Sequence, residues 1–393
     1  MQNGETGLDS KWMRLALDLA KQGQGFVEPN PMVGCVLVDA NGAEIGRGYH
    51  ERYGEPHAER NALANCTASE RLGGATAYVS LEPCCHHGKT PPCVDALLEA
   101  KLQRVVIGCL DPNPLVAGKG AEALRESGIE VDVGCLEAES QRLIAPFRKR
   151  QSSGLPWVIA KWAMTLDGKI ATKTHQSKWI SGQVSRATVQ QLRSRVDAIM
   201  VGSGTALSDN PRLVARVEEA NELSPSLATS HSPRRRALRV VADNRLRLSL
   251  DSDLVQRSNE FPTICLTASD VDKERVRELE DCGVTVFQSS KTEKEARLLD
   301  QLQYLSSEHS VTNLLCEGGG QLIGSLNDTE QLDQLEIYLG GKIFGGSGSV
   351  SPLIGNGVSR VEDATTWDMG RCQQYENDIH LTYFRKPPAS AQA

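Results

Sequence analysis

Aromatic side chains are scarce in this sequence: Phe, Trp and Tyr together make up 5% of its 393 residues. Positive charge is also short, with 43 Lys and Arg against 50 Asp and Glu and a formal net charge of −7. Proteins that hold nucleic acid need a basic face, and single strands are commonly held by stacked rings as well. Both shortages argue against a nucleic-acid partner. No apolar run approaches the roughly 20 residues of a membrane-spanning helix, so no membrane partner is expected. The first residues, Met1-Gln2-Asn3-Gly4-Glu5, carry neither a basic start nor an apolar core, so a soluble cytoplasmic protein is expected. Cysteine, by contrast, is plentiful, with 11. In a long chain without an export signal, reduced thiols and a metal site are expected ahead of disulfides. The length exceeds one ordinary core, which predicts two domains.

The densest chemistry lies in His57-Ala58-Glu59 and in the stretch from Pro83-Cys84-Cys85-His86 to Pro91-Pro92-Cys93. One histidine and two cysteines (His57, Cys84, Cys93) can fill three corners of a zinc tetrahedron and leave the fourth for water, as a catalytic zinc requires. Glu59 sits two residues past the histidine. That is the H-x-E…P-C-x-x-C pattern of zinc nucleobase deaminases, in which the glutamate moves protons and is not a ligand. Here the second cysteine comes nine residues after the first. The other cysteines, Cys35, Cys66, Cys109, Cys135, Cys265, Cys282, Cys316 and Cys372, read as small core hydrophobes. A structural zinc with a fourth ligand from Cys85 or His86 stays open, although neighbouring Cys84 and Cys85 do not readily face one metal. Asn30, between Pro29 and Pro31, is suited to hydrogen-bond a base.

Trp12, Leu15, Ala16 and Leu19 recur at helical spacing and predict a helix over 10–22. Residues 34–38 read as a strand, with a hairpin turn at Asn41-Gly42. Helices are expected at 57–66, 93–100 and 118–127, alternating with strands at 75–81, 104–110 and 130–135. Such alternation predicts an α/β layered domain with a partly parallel sheet. The metal ligands should then fall at helix starts, where backbone donors help to hold thiolates. A charged helix over 136–150 and a linker over 152–156 place the boundary near 150, with one domain over 1–150 and a second over 151–388. The second should hold strands at 157–164, 198–201, 238–242, 262–266, 284–287, 314–316, 335–338 and 379–383, with helices at 185–195, 272–281 and after Gly320. Residues 217–233, acidic and then rich in Ser and Pro, read as a mobile insertion, and Arg234-Arg235-Arg236 as its solvated end. Residues 386–393 read as a disordered tail. Glu317-Gly318-Gly319-Gly320 at a strand end would let backbone N–H groups approach a phosphate, with a plain turn as the alternative. Gly202-Ser203-Gly204-Thr205 lacks the third glycine of a dinucleotide fingerprint and is weak by itself.

Several of these stretches together resemble the bifunctional deaminase/reductase of riboflavin biosynthesis. They are the loop ending Gly88-Lys89-Thr90-Pro91-Pro92-Cys93, the run Thr165-Leu166-Asp167-Gly168-Lys169-Ile170-Ala171, then Ser177-Lys178-Trp179, and Asp209-Asn210-Pro211. The likeness spans nearly the whole chain except 217–233 and the two ends. It implies an N-terminal cytidine-deaminase-like three-layer αβα domain followed by a dihydrofolate-reductase-like α/β domain. It further implies a zinc-dependent hydrolase that removes ammonia from a diaminopyrimidinone ribosylamino 5′-phosphate. The partner activity would be an NADPH-dependent oxidoreductase that converts the ribose to a ribityl chain. Partners are then small pyrimidine ribosyl phosphates, with a homo-oligomer left open.

By residue, the resemblance places Asn30, His50, His86 and Lys89 on the deaminase substrate. It places Ala163, Trp179, Thr205, Asp209, Asn244, Gly318, Gly319 and Gly320 on the nicotinamide cofactor. Ser177, Arg193, Leu213, Arg216 and Glu317 fall on the reductase substrate, with Arg193 and Arg216 suited to phosphate. His175-Gln176 stands where the family usually has Gly-Glu, and Asn244 where serine is common. These departures keep alive a deaminase with a degenerate second domain. A nucleic-acid-editing deaminase shares the zinc pattern but would need the basic, aromatic surface that the composition lacks.

Overall fold

The computed structural model describes residues 7–86, 91–114, 116–223 and 236–386. The chain forms two compact units, Met1–Gly154 and Leu155–Ala393. Among the described residues no helix is long and apolar enough to cross a membrane.

The first unit is built on strands β1 (Gly34–Val38), β2 (Glu44–Tyr49), β3 (Thr76–Val79), β4 (Arg104–Ile107) and β5 (Glu130–Val133). They stand in the order β2-β1-β3-β4-β5. β1 runs antiparallel to β2 and β3, while β3, β4 and β5 are parallel. Helices α1 (Gly7–Ala20), α2 (Ala58–Ala64), α3 (Cys93–Glu99), α4 (Lys119–Glu126), α5 (Glu137–Leu143) and α6 (Ala145–Ser153) complete it. Side chains of a strand alternate between faces, and here each face is apolar. Cys35, Leu37, Ala77, Val79, Val105 and Ile107 meet α2, α3 and α4, through residues such as Ala62, Leu97 and Leu124. Val36, Val38, Tyr78 and Val106 meet Trp12, Met13, Ala16 and Leu17 of α1. The sheet is thus covered on both sides, giving the three-layer αβα arrangement. The Asn41-Gly42 turn joins β1 to β2, with Gly42 at φ +81.

The second unit carries a nine-stranded sheet of β6 (Trp157–Thr165), β7 (Ala198–Gly202), β8 (Leu238–Ala242), β9 (Thr263–Ala268), β10 (Thr285–Ser289), β11 (Asn313–Cys316), β12 (Leu332–Gly340), β13 (Trp367–Tyr375) and β14 (Asp378–Arg385). Its order is β10-β9-β8-β7-β11-β6-β12-β14-β13, with β14 alone reversed, antiparallel to both β12 and β13. Helices α7 (Gln183–Ser194), α8 (Ser203–Asp209), α9 (Val217–Leu223), α10 (Asp253–Gln256), α11 (Lys273–Asp281), α12 (Lys294–His309) and α13 (Gly320–Asp328) belong to it. β11 arrives late in the chain and inserts between β7 and β6. Crevices beyond the carboxyl ends of such strands are where open α/β sheets bind ligands. Here those ends lead into Ser203, Glu317 and Leu166.

Several expectations need correction. The charged helix over 136–150 is two helices, α5 and α6, and α6 runs through Ser153, so the interdomain turn begins at Gly154 (φ +72) instead of Ser152. The first part of the supposed mobile insertion is α9, which packs against α7 and buries Ala220. Its acidic first turn, Glu218 and Glu219, suits a helix N-terminus. Residues 224–233, Arg234 and Arg235 lie outside the described residues, while Arg236 packs over the Phe261 ring and donates to Glu260 O at 2.8 Å. Lys386, assigned to the tail, is held by Thr366 O at 3.2 Å and Asp368 at 3.2 Å; residues 387–393 lie outside the described set. β2, β13, α8, α10 and α12 are elements that sequence periodicity did not bring out.

Candidate active sites

In the first unit the site begins where α2 rides on β2. Gly46 and Gly48 permit this: a Cβ on either would stand 2.6 Å from Ala62 O or 2.4 Å from Ala62 N. That close approach seats His57, the N-cap residue of α2, and Glu59 in its first turn. Arg60 reaches from the same helix to Pro91 O (3.3 Å) and Pro92 O (3.0 Å), tying α2 to the entry of α3. Cys93 opens α3, and its N–H donates to Cys84 Sγ at 3.3 Å. Cys84 itself sits in the loop after β3, not at a helix start as expected.

The His57, Cys84 and Cys93 ligand atoms lie within 4.8 Å of one another. His57 Nδ1 is 3.6 Å from Cys84 Sγ and 3.4 Å from Cys93 Sγ. Zinc binds sulfur at about 2.3 Å and nitrogen at about 2.0–2.1 Å, so a tetrahedron sets S···N edges of roughly 3.6 Å. The side chains therefore fit zinc as they stand. Cys85 packs against the apolar core, and neither it nor His86 joins the cluster, which among the described residues has three protein ligands. The Cys84 thiol is pulled down to about 4, first by the Cys93 thiol and then, against burial, by His57. Cys93 is pushed up by the same partnership with Cys84 and by burial. One thiolate is thus already favoured beside the imidazole. Glu59 is 3% exposed, and burial pushes its carboxyl up to about 6, a value from which it can both take and return a proton.

His57, Glu59 and Cys84 line a cleft of about 280 Å³. Asn30 and His50 face it together, with Asn30 Nδ2 donating to His50 Nε2 at 3.4 Å and His50 Nδ1 donating to Pro56 O at 3.2 Å. His86 also lines it, and its buried Nδ1 meets no hydrogen-bond partner among the described residues, as suits a group kept for a ligand. Lys89 lies outside the described residues. Sequence reasoning missed Glu82, Phe147, Arg150 and Gln151, which line the cleft together with Asp111 and Asn113. Glu82 accepts from the N–H groups of Asp111, Gly118, Gly120 and Ala121 at 2.9–3.1 Å, so this buried carboxylate shapes the loop that carries Asp111 and Asn113. Burial pushes Asp111 up to about 6. The signal for Glu82 was its place directly before Pro83-Cys84.

In the second unit, Arg193 of α7 and Glu317 after β11 form a two-pronged pair, Nε to Oε1 at 2.7 Å and Nη2 to Oε2 at 2.5 Å. Burial alone would raise the Glu317 carboxyl, but the Arg193 guanidinium and then Lys161 hold it below its usual value. Lys161 of β6, unforeseen from the sequence, completes the cluster; burial pulls its ammonium down while Glu317 supports it. Its signal was a lone charge inside an apolar, β-prone run. Thr205 of α8 stands against the glycine turn: a Cβ on Gly319 would be 3.2 Å from Thr205 Oγ1, and Gly318 has φ +115. Gly202 N–H donates to Gly318 O at 2.9 Å, so the turns after β7 and β11 are joined. Gly320 starts α13.

The remaining reductase candidates are less gathered. Ala163 lies on β6 and Ser177 is half-buried. Trp179 is 61% exposed, with the Arg186 guanidinium over its ring. Asp209 ends α8 and Asn244 is exposed. Leu213 is buried in the core at φ +49, and Arg216 is paired with Glu219 at 3.3 Å.

Residues 6–109 match the family model of the cytidine and deoxycytidylate deaminase zinc-binding region, and residues 156–381 match that of the RibD C-terminal domain. The layered first unit, its His-Cys-Cys cluster and these matches define a class: a zinc-dependent deaminase joined to an NADPH-dependent reductase. The chain is 42% identical over 379 residues to riboflavin biosynthesis protein RibD of Actinobacillus pleuropneumoniae, covering 96% of each. It is 38% identical over 338 residues to RibD of Escherichia coli (strain K12), covering 86% of this chain and 89% of that protein. The solved structure of Acinetobacter baumannii RibD superimposes with a TM-score of 0.81 at 33% identity, covering 98% of this chain and 100% of the other. The chain belongs to the RibD family, the bifunctional deaminase/reductases of riboflavin biosynthesis.

Proposed function

We propose that the first unit hydrolytically deaminates 2,5-diamino-6-(5-phosphoribosylamino)pyrimidin-4(3H)-one and that the second reduces 5-amino-6-(5-phosphoribosylamino)uracil with NADPH. The observation that carries the first half is the His57–Cys84–Cys93 cluster with buried Glu59 beside it in one cleft. The solved Thermotoga maritima protein that this chain resembles, with a TM-score of 0.78 at 32% identity, bears both activities in its description.

His57, Cys84 and Cys93 would hold the zinc, which would supply a Lewis acid and so a nucleophilic water near neutral pH. Glu59 moves two protons: its carboxylate takes one from the attacking water and gives it to the ring nitrogen, then takes the second from the hydroxyl added at the ring carbon and gives it to the amine, which leaves as ammonia. Asn30, its amide fixed by His50, orients the base, and His86 and Lys89 contact the ribose phosphate.

In the second unit Gly318, Gly319 and Gly320 bring backbone donors to the cofactor phosphates, with Thr205 beside them. Trp179, Ala163, Asp209 and Asn244 complete the cofactor site. NADPH supplies the hydride, and the protein supplies position and charge. Arg193, Glu317, Ser177, Leu213 and Arg216 hold the substrate, with Lys161 as a further cation in that cluster. The boundary between the two activities falls near residue 150. The acidic balance supports work on small molecules in the cytoplasm with no nucleic-acid partner.

The test is to incubate the zinc-loaded protein with the diamino substrate, with and without NADPH, and to identify the products by mass. The deaminated product alone without NADPH, and the ribitylamino product with it, is the expected result. Deamination with no reduction would leave a deaminase carrying a degenerate second domain.

A further inference from the structure

A dianionic substrate poses a problem for the deaminase cleft. Glu55, Glu59, Glu82 and Asp111 all line it, and a ribose 5′-phosphate entering such a site meets carboxylates. Glu82 is saturated by four backbone donors, but the others are not offset by its partners. Among the described lining residues, Arg150 is the one lysine or arginine. It comes from α6, whose residues 147, 150 and 151 all face the cleft. Positions three and four apart share one face of a helix, so this is a helix surface turned toward the site.

We propose that Arg150 binds the substrate's 5′-phosphate and makes the deaminase select phosphorylated ribosylaminopyrimidines over free bases and nucleosides, a role that rests on the reading of this cleft as the deaminase site. A guanidinium presents a planar fork of donors that matches phosphate oxygens and stays charged at any working pH. A purely structural role is the alternative, because a cation in the last turn of a helix interacts favourably with its C-terminal carbonyls. Arg150 is itself the basic residue of that last turn, but it lines the cleft, which Arg148 and Lys149 on the same helix do not. Arg150 is distinguished from them by facing the site.

The test uses the zinc-loaded full chain and compares kcat/KM for the 5′-phosphorylated diamino substrate with that for its dephosphorylated counterpart, read as ammonia release. Wild type should prefer the phosphorylated compound. Arg150→Met, which keeps the aliphatic stem and loses only the fork, should cut that preference about ten- to a hundredfold, the scale of a lost charge-assisted contact. Inhibition by ribose 5-phosphate should weaken by a similar factor, and Arg150→Lys should recover part of both. A preference that survives in Arg150→Met, or equal losses on both substrates, would overturn the proposal. A wild-type protein that releases no ammonia from either substrate would instead overturn the reading of the cleft, and the proposal with it.

Discussion

The two sites differ in what their charged groups do before any ligand arrives. In the first unit, His57, Cys84 and Cys93 stand as three corners of a tetrahedron at zinc-ligand spacing. In the second, Arg193 and Glu317 satisfy each other through two short hydrogen bonds. The first arrangement gains from a metal at once, since the fold already has the donors at ligand spacing. The second is a closed ion pair, and such a pair stabilises mainly by leaving no buried charge unmatched. A substrate phosphate reaching Arg193 must therefore share the guanidinium with Glu317. Catalytic power in the first site should then be sensitive to single atoms, and integrity of the second should be sensitive to charge balance.

Short of removing a metal ligand, the largest effect expected from a single substitution is that of Glu59→Gln. It keeps the shape and removes the proton carrier, so ammonia release should fall by ~10²–10⁴-fold. Zinc content should stay at wild-type level, because Glu59 is outside the ligand triad; metal loss in that variant would make Glu59 a ligand and merge its role with that of His57.

Next in size is Arg193→Met, which strands the Glu317 carboxylate in a buried setting. Breaking a buried pair from one side costs on the order of 3–5 kcal/mol, and nearby Lys161 should hold the loss toward the lower end. Denaturant unfolding of the two proteins at several pH values measures it. Glu317 is held below its usual value in the native protein, so its contribution is present at neutral pH and is lost as pH falls through that lowered value. In Arg193→Met the balance reverses, since burial without the guanidinium raises Glu317 and destabilises the fold as pH rises. The gap between the two proteins should close on acidification; a gap independent of pH would show that the pair contributes little electrostatically.

Gly319→Val should have the mildest effect. A branched side chain would crowd Thr205 Oγ1, already 3.2 Å from the position of a Cβ, at the turn where cofactor phosphates approach. The Michaelis constant for NADPH should rise by about tenfold, the scale of one lost phosphate hydrogen bond. Ammonia release should hold steady, and an unaltered NADPH constant would move the dinucleotide to another part of the unit.

The same contrast explains what could be read from the sequence. His57-Ala58-Glu59 and the Cys84 to Cys93 loop carry their chemistry in short windows, so ligand identity and spacing were visible without a fold. The alternation of strand and helix gave the layered first unit, because its strands are apolar on both faces and its helices are short. Lys161, Arg193 and Glu317 come from β6, α7 and the end of β11, and nothing local marks them as neighbours. Arg150 hid in a charged helix that sequence composition assigned to a connection. α9 was missed because an acidic stretch lacks the apolar periodicity that signals a helix, and tertiary packing on α7 decides it instead. β13 escaped for a related reason: it is a largely exposed edge strand, and exposed strands need no alternating pattern.

The central claim is that each unit holds a complete site of its own, and Cys93→Ser tests it most directly. Serine oxygen is a poor substitute for a soft thiolate on zinc. Ammonia release from the diamino substrate and NADPH oxidation on the already deaminated intermediate should be measured on the same folded preparation. The account predicts that the first activity is lost with the zinc and that the second continues at the wild-type rate. Loss of both activities in a soluble, folded Cys93→Ser protein would contradict it.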